Sequence, residues 1–263
     1  LPHNTIYSII RTGDNQIYVG TYNGLCRYIA SNGKFEKIPL PVNSSQSNLF
    51  VNSLLEDTGR QCIWIGTEGY LFQYFPSTGQ MKQTEAFHNN SIKSLALDGN
   101  GYLLAGTDNG LYVYHNDVTP LQHIIHDSRN IQSLTNNIIW NIFADQEHNI
   151  WLGTDYGISL SRYNSALQFI PISQITGTGD GNQFYSLFRD SKGFYWFGGT
   201  NGLIRFTDPA GDKHNAIWYR MGDKTYPLSH NRIRHIYEDK EQQLWIATDG
   251  SINRYDYATR QFV

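Results

Sequence analysis

Six times along 263 residues this chain writes variants of one phrase. The phrase reads CIWIGTEGYLFQY at 62–74, NIWLGTDYGISLSRY at 149–163, FYWFGGTNGLIRF at 194–206 and QLWIATDGSINRY at 243–255. Repetition at a fixed period constrains the fold more than any local feature, because a module that cannot bury its own apolar face must stack on its neighbours. Copies open with an Asn at 4, 48, 90, 137, 182 and 231. A short apolar segment follows, often ending in an acidic residue and a turn, as in IIWNIFAD (138–145), QFYSLFRD (183–190) and RIRHIYED (232–239). Then comes the phrase itself, and after it a variable stretch that often holds an aromatic, such as Phe35, Phe169 or Phe262. The glycine before Thr sets the register at Gly20, Gly66, Gly106, Gly153 and Gly199, with Ala247 in the last copy, so the steps are 46, 40, 47, 46 and 48 residues.

A period of about 40–50 residues predicts a propeller blade of four antiparallel strands. In copy four, IIWNIF is strand A, NIWLGT strand B, ISLSRY strand C and ALQFIPI strand D, with the Gly-bearing turn DYG between B and C. The fold class expected is all-β, a propeller with six four-stranded blades visible, over approximately 4–47, 48–89, 90–136, 137–181, 182–230 and 231–263. Charged residues make up only 16% of the chain while aromatics reach 14%, a balance that favours β structure over a helical bundle. No window sustains an apolar 3.6-residue period for three turns, so almost no helix is expected. Trp64, Trp151, Trp196 and Trp245 share one repeat position, filled by Tyr18 and Leu103 elsewhere, which suits packing of one blade on the next. The chain opens at the head of a strand A and closes in a strand D. The expectation is therefore either six blades closed by side-chain packing alone or a further blade outside this stretch, making the chain one propeller domain or most of one from a longer protein.

Net charge is −3 with no extended basic cluster, which argues against a nucleic-acid partner. No apolar run approaches the length of a membrane span, and the N-terminus carries no signal-peptide pattern. The two cysteines, Cys26 and Cys62, occupy different repeat positions; the sequence leaves open whether they are buried thiols or one bridge.

The consensus D-x-x-G-x-[IL]-W-[IL]-G-T-x-x-G-[IL]-x-R-Y, best carried by DQEHNIWLGTDYGISLSRY (145–163) and DSKGFYWFGGTNGLIRF (190–206), resembles the two-component-regulator propeller repeat. Copy three, GYLLAGTDNGLYVY (101–114), departs from it in lacking Trp and Arg, copy six in Ala247, and copy five in the extra Gly of FGGT. WD40 dipeptides are missing at the repeat positions, and RDSKGFYW (189–196) echoes the sialidase Asp box without its leading Ser. The resemblance implies the periplasmic, extracytoplasmic sensor region of a hybrid two-component system, of a kind found mainly in gut Bacteroidetes. Members carry two seven-bladed propellers and a β-sandwich, then a membrane span, histidine kinase, receiver and DNA-binding domain. Their signals are oligosaccharides and their output is transcription of glycan-utilisation genes. For this chain the resemblance implies an oligosaccharide ligand, contacts with a neighbouring propeller and β-sandwich, a homodimer in the full receptor, no cofactor and no metal.

Positions shared by all copies build blades, so recognition belongs where copies differ. One strand A position varies widely: Tyr7, Asn52, Lys93, Trp140, Tyr185 and Arg234. Aromatics beside hydrogen-bonding groups suit a pyranose, which has an apolar C–H face and a rim of hydroxyls. Alternate strand A residues also pack between blades, and sequence alone leaves the pleat open. The B–C turns offer Tyr22, Asn23, Glu68, Asp108, Asn109, Asp155, Tyr156, Asn201 and Asp249, where ordinary turn chemistry competes with sugar binding. Two long D-to-A connections are expected, TPLQHIIHDSRNIQSLT (119–135) and KHNAIWYRMGDKTYPLSH (213–230). Trp140 and Trp218 lie off the repeated Trp position and join the ligand-binding candidates. His123, His126 and Asp127 lack the further ligands of a metal site. Catalytic signatures such as G-x-S-x-G, H-E-x-x-H or a phosphate loop are missing. Three readings stay in play: a non-enzymatic glycan sensor, a glycan-active propeller enzyme, and a protein-interaction platform.

Overall fold

A computed structural model describes residues 1–41, 49–83, 90–115, 118–173, 182–207, 216–225 and 227–263. Asn48, the expected head of copy two, and residues 213–215 lie outside them. The chain forms two compact units, Leu1–Ile124 and Ile125–Val263.

The first unit holds three four-stranded antiparallel sheets, each a meander in chain order. They are β1 (Ile6–Arg11), β2 (Ile17–Thr21), β3 (Gly24–Ile29) and β4 (Lys34–Ile38); β5 (Val51–Asp57), β6 (Cys62–Thr67), β7 (Leu71–Phe75) and β8 (Gln80–Gln83); then β9 (Ile92–Leu97), β10 (Leu103–Thr107), β11 (Gly110–Tyr114) and β12 (Pro120–Ile124). The second unit repeats the plan with β13 (Ile139–Ala144), β14 (Ile150–Thr154), β15 (Gly157–Ser161) and β16 (Phe169–Pro171); β17 (Phe184–Arg189), β18 (Tyr195–Gly199), β19 (Gly202–Phe206) and β20 (Ile217–Tyr219); and β21 (Ile233–Glu238), β22 (Leu244–Thr248), β23 (Ile252–Asp256) and β24 (Gln261–Phe262). Every named element is a strand, and the six sheets are the six propeller blades expected.

Two of the expected connections are partly strand. Pro120–Ile124 is the outer strand of blade three and Ile217–Tyr219 that of blade five. Outer strands pair on one edge only, so their sequences lose the apolar alternation that marks inner strands. β12 is exposed over four of its five residues, and β20 is only three residues long.

The repeated aspartate at the A–B turn does two jobs. Its Oδ1 accepts backbone N–H groups of the turn: from Arg60 on Asp57 (3.0 Å), Asn149 on Asp145 (2.8 Å), Phe194 on Asp190 (2.8 Å) and Gln243 on Asp239 (2.8 Å). Its Oδ2 accepts the indole N–H of the repeated tryptophan: Trp64 at 3.0 Å, Trp151 at 2.8 Å, Trp196 at 2.8 Å and Trp245 at 2.6 Å. A buried indole needs an acceptor for its N–H, and here the turn supplies it. In blade three, where Leu103 replaces Trp, Asp98 keeps the turn alone, accepting from Tyr102 N at 2.8 Å.

The clasp reaches across blades. Tyr195 of blade five donates to Asp145 Oδ2 of blade four at 3.2 Å, and Tyr257 of blade six donates to Asp190 Oδ2 of blade five at 2.7 Å. In the first unit Arg60 takes this part, pairing with Asp57 at 2.6 Å and donating to the carbonyls of Gly101 (2.8 Å) and His115 in blade three. Beside these bonds the tryptophans fill the inter-blade cores. Trp64 packs with Ile92, Leu95 and Leu103, Trp151 with Phe184, Leu187 and Phe197, and Trp196 with Ile233, Ile236 and Ile246. Tyr18 packs likewise with Val51, Leu54 and Ile65. Trp64, Trp151 and Trp196 are at most 1% exposed, whereas Trp245 is 36% exposed.

The register glycine exists for contact with the following blade. A Cβ on Gly66 would stand 2.5 Å from Ile92 Cγ2, on Gly153 2.6 Å from the Phe184 carbonyl oxygen, and on Gly198 2.4 Å from Ile233 Cγ2. The strand pairing therefore corrects the sequence register in copy five: Gly198, and not Gly199, is the counterpart of Gly153. Gly199 pairs with Phe184 as Thr154 pairs with Ile139, so it occupies the threonine position. In the other blades that threonine hydroxyl donates to a carbonyl of the B–C turn, as Thr154 does to Gly157 O at 2.9 Å; in blade five Thr200 donates instead to Asn182 Oδ1 at 2.6 Å.

The Asn at the head of a copy ties the preceding B–C turn in place. Gly69 N donates to Asn90 O (3.0 Å), Gly157 N to Asn182 O (2.9 Å) and Gly202 N to Asn231 O (2.8 Å). These glycines hold φ of 88°, 95° and 109°, a region that side-chain-bearing residues enter at a cost.

Both cysteines are free and buried, which settles the alternative in favour of unpaired thiols.

Three outcomes follow from this packing. Asp145→Ala leaves two buried donors without an acceptor and is expected to cost about 2–4 kcal/mol, whereas Asp239→Ala, beside the part-exposed Trp245, is expected to cost less; urea denaturation of both variants measures the difference. Gly153→Ala forces Phe184 to shift and lowers stability by about 1–3 kcal/mol in the same assay. Burial pushes the Asp57 carboxyl up, but donors from Trp64 and Arg60 outweigh it and leave the group below its ordinary value. Its contribution is therefore full above the unfolded carboxylate pKa and disappears as pH falls through the lowered folded value. Asp57→Asn is expected to be less stable at neutral pH and to show a flatter loss of stability between about pH 5 and pH 2.

Candidate functional site

The variable strand A residues share a backbone anomaly. In every blade the pairing of strands A and B slips by one residue near the start of strand A: between Ile6 and Ser8, Val51 and Ser53, Ile139 and Asn141, Phe184 and Ser186, and Ile233 and His235. In blade three Ile92 pairs with Thr107 and Ser94 with Gly106. The residue passed over is in each case the variable one: Tyr7, Asn52, Lys93, Trp140, Tyr185 or Arg234. A β-bulge re-aims the side chain it carries and removes it from the regular in–out alternation. This answers the question of pleat that the sequence left open. The residue just before the bulge is fully buried in blades two to six, and the bulged residue is half-buried or exposed.

Bulge and B–C turn work as a couple fifteen residues apart. In the second unit, Trp140 donates its indole N–H to Asp155 Oδ1 at 3.0 Å, and Arg234 donates to both oxygens of Asp249 at 2.5 and 3.3 Å. Gln183 Nε2 donates to Asp155 at 2.6 Å, and Tyr185 donates its hydroxyl to Gln183 Oε1 at 2.5 Å. The Trp140 and Tyr185 rings meet edge-on at 5.2 Å. Burial raises the Tyr185 hydroxyl pKa, with Arg232 and Arg234 opposing it, so the group remains a donor. The Arg234 hydrogen bond holds the Asp249 carboxyl below its ordinary range, so it is an anion at neutral pH. Trp140, Asp155, Gln183 and Tyr185 thus form one bonded group across blades four and five, and the Arg234–Asp249 pair of blade six lies within electrostatic reach of Tyr185. Tyr156, next to Asp155, is 54% exposed.

In the first unit the same places hold different chemistry. Lys93 pairs with Asp108 at 2.9 Å, and Asn52 donates to Ser91 Oγ at 2.8 Å. Burial raises the Glu68 carboxyl pKa, and Lys93 draws it back in part. Tyr7 and Tyr22 both meet Phe50, at 6.3 and 4.2 Å, and His3 lies 4.8 Å from Tyr22. Phe50 and Gln183, the residues before their strands, were not among the sequence candidates; only their proximity to the bulge reveals them.

Trp218 has a different place. It stands on β20 opposite Ile204, packs against the core shared by blades four and five, and carries Arg220 over its ring at 4.2 Å. His123 stacks on Tyr112 at 4.0 Å and bonds Asn109 O, and His126 Nδ1 bonds Leu134 O. Among the described residues no group of three His, Cys, Asp or Glu converges as a metal site.

Comparison with known proteins places this architecture. The two component regulator propeller model matches residues 1–23, 133–156, 178–201 and 227–250. The extracellular domain of a hybrid two component system from B. thetaiotaomicron is 94% identical with a TM-score of 0.61, over 100% of this chain and 35% of that one. Histidine kinase P4 of Formosa agariphila is 27% identical over 99% of this chain and 19% of its own length. The chain thus spans a minor part of these relatives. Virginiamycin B lyase from Staphylococcus aureus, at 13% identity, TM-score 0.72, 97% of this chain and 82% of that one, shares the propeller fold alone. Six four-stranded blades and four stretches that fit the repeat thus make the chain similar to two component regulator propellers and to the extracellular domain of a hybrid two component system.

Proposed function

We propose that this segment binds an oligosaccharide at the bulge–turn surface of its second unit, as the ligand-receiving part of a hybrid histidine kinase that controls glycan-utilisation genes. The observation that carries this reading is the bulged Trp140–Tyr185 pair bonded to Asp155 and Gln183, with the bulged Arg234 paired to Asp249 in the next blade. A sugar ring needs an aromatic face for its C–H groups and both donors and acceptors for its hydroxyls. Here the rings supply the first, Asp155 and Asp249 accept, and Gln183 and Arg234 donate. With Arg232, 3.9 Å from Asp249, two cations stand against the two carboxylates, which suits an uncharged ligand. Contacts to a neighbouring propeller, a β-sandwich and a second receptor copy belong to the same proposal. Signalling requires that the saccharide bind one arrangement of these parts better than another.

Calorimetry beside a turnover assay, with the same panel of plant and microbial oligosaccharides, tests the reading. Saturable heat without new reducing ends is expected, and Trp140→Ala should weaken it about tenfold or more, as loss of an aromatic platform does. Product release would move the assignment to a glycan-active enzyme.

A further inference from the structure

A cleft adjoins this surface at the B–C turn of blade four. It is a cleft of about 320 Å³ formed by the segment 126–135 and the B–C turn of blade four, with Asp127, Ser128, Asn130, Ile131, Thr135 and Tyr156 on its walls. The segment is pinned from below. Gln132 O accepts from Phe169 N at 2.9 Å, Thr135 N donates to Ser159 Oγ at 3.0 Å, and the Thr135 hydroxyl lies 3.0 Å from that of Thr154. Leu134 is 1% exposed beneath it, while Ile131 is 72% exposed above. Within the segment, Ser133 Oγ accepts from Asp127 N (3.0 Å) and donates to Asp127 O (2.9 Å). The cleft is therefore preformed, with an apolar side chain and an aromatic ring left open to solvent.

Its position matters because one turn serves both places. Asp155 faces Trp140 and Gln183, and the next residue, Tyr156, is the cleft wall. The two places are therefore adjacent residues of one turn, which is the spacing that neighbouring subsites for linked sugar rings need. The ionisable side chains there are Asp127, bonded by Arg129 Nε at 3.1 Å, and His126, whose Nδ1 is held by Leu134 O. Neither leaves a cation aimed at an acidic ligand.

We infer that the cleft at Tyr156 is a second subsite, so that the recognised ligand is a neutral oligosaccharide of several residues, with one ring at Trp140–Tyr185 and another against Tyr156 and Ile131. The inference rests on the oligosaccharide reading of the Trp140 surface and extends it. A volume near the lower end for ligand sites accommodates about one or two rings.

The test is calorimetry on the whole chain with neutral manno-, xylo- and arabino-oligosaccharides of graded length, from the monosaccharide to the hexamer, and with a uronic-acid hexamer. Affinity is expected to rise with length. Tyr156→Ala should remove about tenfold of that gain for the longer members and leave the monosaccharide unchanged, whereas Trp140→Ala should weaken every length. Tyr156 is exposed, so an unshifted thermal melt is expected for that variant, and Ile131→Asp gives an independent second perturbation of the cleft. If Trp140→Ala weakens binding while Tyr156→Ala and Ile131→Asp leave every length untouched, the second subsite is overturned and the first surface stands. Tighter binding of the uronic-acid hexamer than of any neutral one overturns the neutral-ligand inference. Saturation by no member of the series overturns the oligosaccharide reading and this inference together.

Discussion

The blade depends on one carboxylate that faces two ways. Its Oδ1 closes the A–B turn and its Oδ2 satisfies the indole of the strand that follows, as at Asp145 and Asp190. In blade one Thr12 Oγ1 closes the turn instead, accepting from Gln16 N at 3.1 Å, and Tyr18 stands where blades two, four, five and six have the indole. A turn with unpaired amides would not form, and a tryptophan with an orphan N–H would be a poor core residue. By sharing one side chain between them, the repeat couples local turn formation to burial of its largest apolar group. The tyrosines that join from the next blade, Tyr195 and Tyr257, extend that coupling from one sheet to its neighbour. Stability of this kind accumulates between adjacent repeats, as in other quasi-one-dimensional folds.

Recognition is released from these demands by the bulge. A regular strand would commit each side chain either to the inter-blade core or to the opposite face. Passing over one residue leaves Val51, Ile92, Ile139, Phe184 and Ile233 in the core and lets the next position change freely. The same backbone thus carries Asn, Lys, Trp, Tyr and Arg at equivalent places. The B–C turn partners, Asp108, Asp155 and Asp249, hold those side chains in fixed directions, which would lower the entropic cost of meeting the ligand proposed above.

Much of this was legible in the residues. Period and strand alternation gave six blades, and strands A to C of copy four fell within two residues of their observed limits. The set of variable strand A positions was visible because repetition aligns them. Three things were not visible. The outer strands β12 and β20 were hidden because an edge strand needs no apolar face. In copy five, FGGT offers two glycines, and only contact with Ile233 distinguishes Gly198 from Gly199. The bulge itself has no residue signature here, since any side chain is accepted at the skipped place, so Gln183 and Phe50 could not be linked to it. Trp218, also off the repeat position, packs on a core and on Arg220, a place that the repeat does not indicate.

The two thiols have a bearing on how such a protein matures. Cys26 and Cys62 are 0% and 2% exposed, and burial pushes both above the ordinary thiol range. Gln73 donates to the sulfur of Cys62 at 3.4 Å, and Cys26 sits against Val19 O at 3.6 Å. Once folded they offer almost no thiolate to an oxidase or a mixed disulfide. Outside the cytoplasm, however, the nascent chain meets an oxidising surrounding before these strands are covered. Burial within the first two blades is therefore what shields both thiols in such a surrounding.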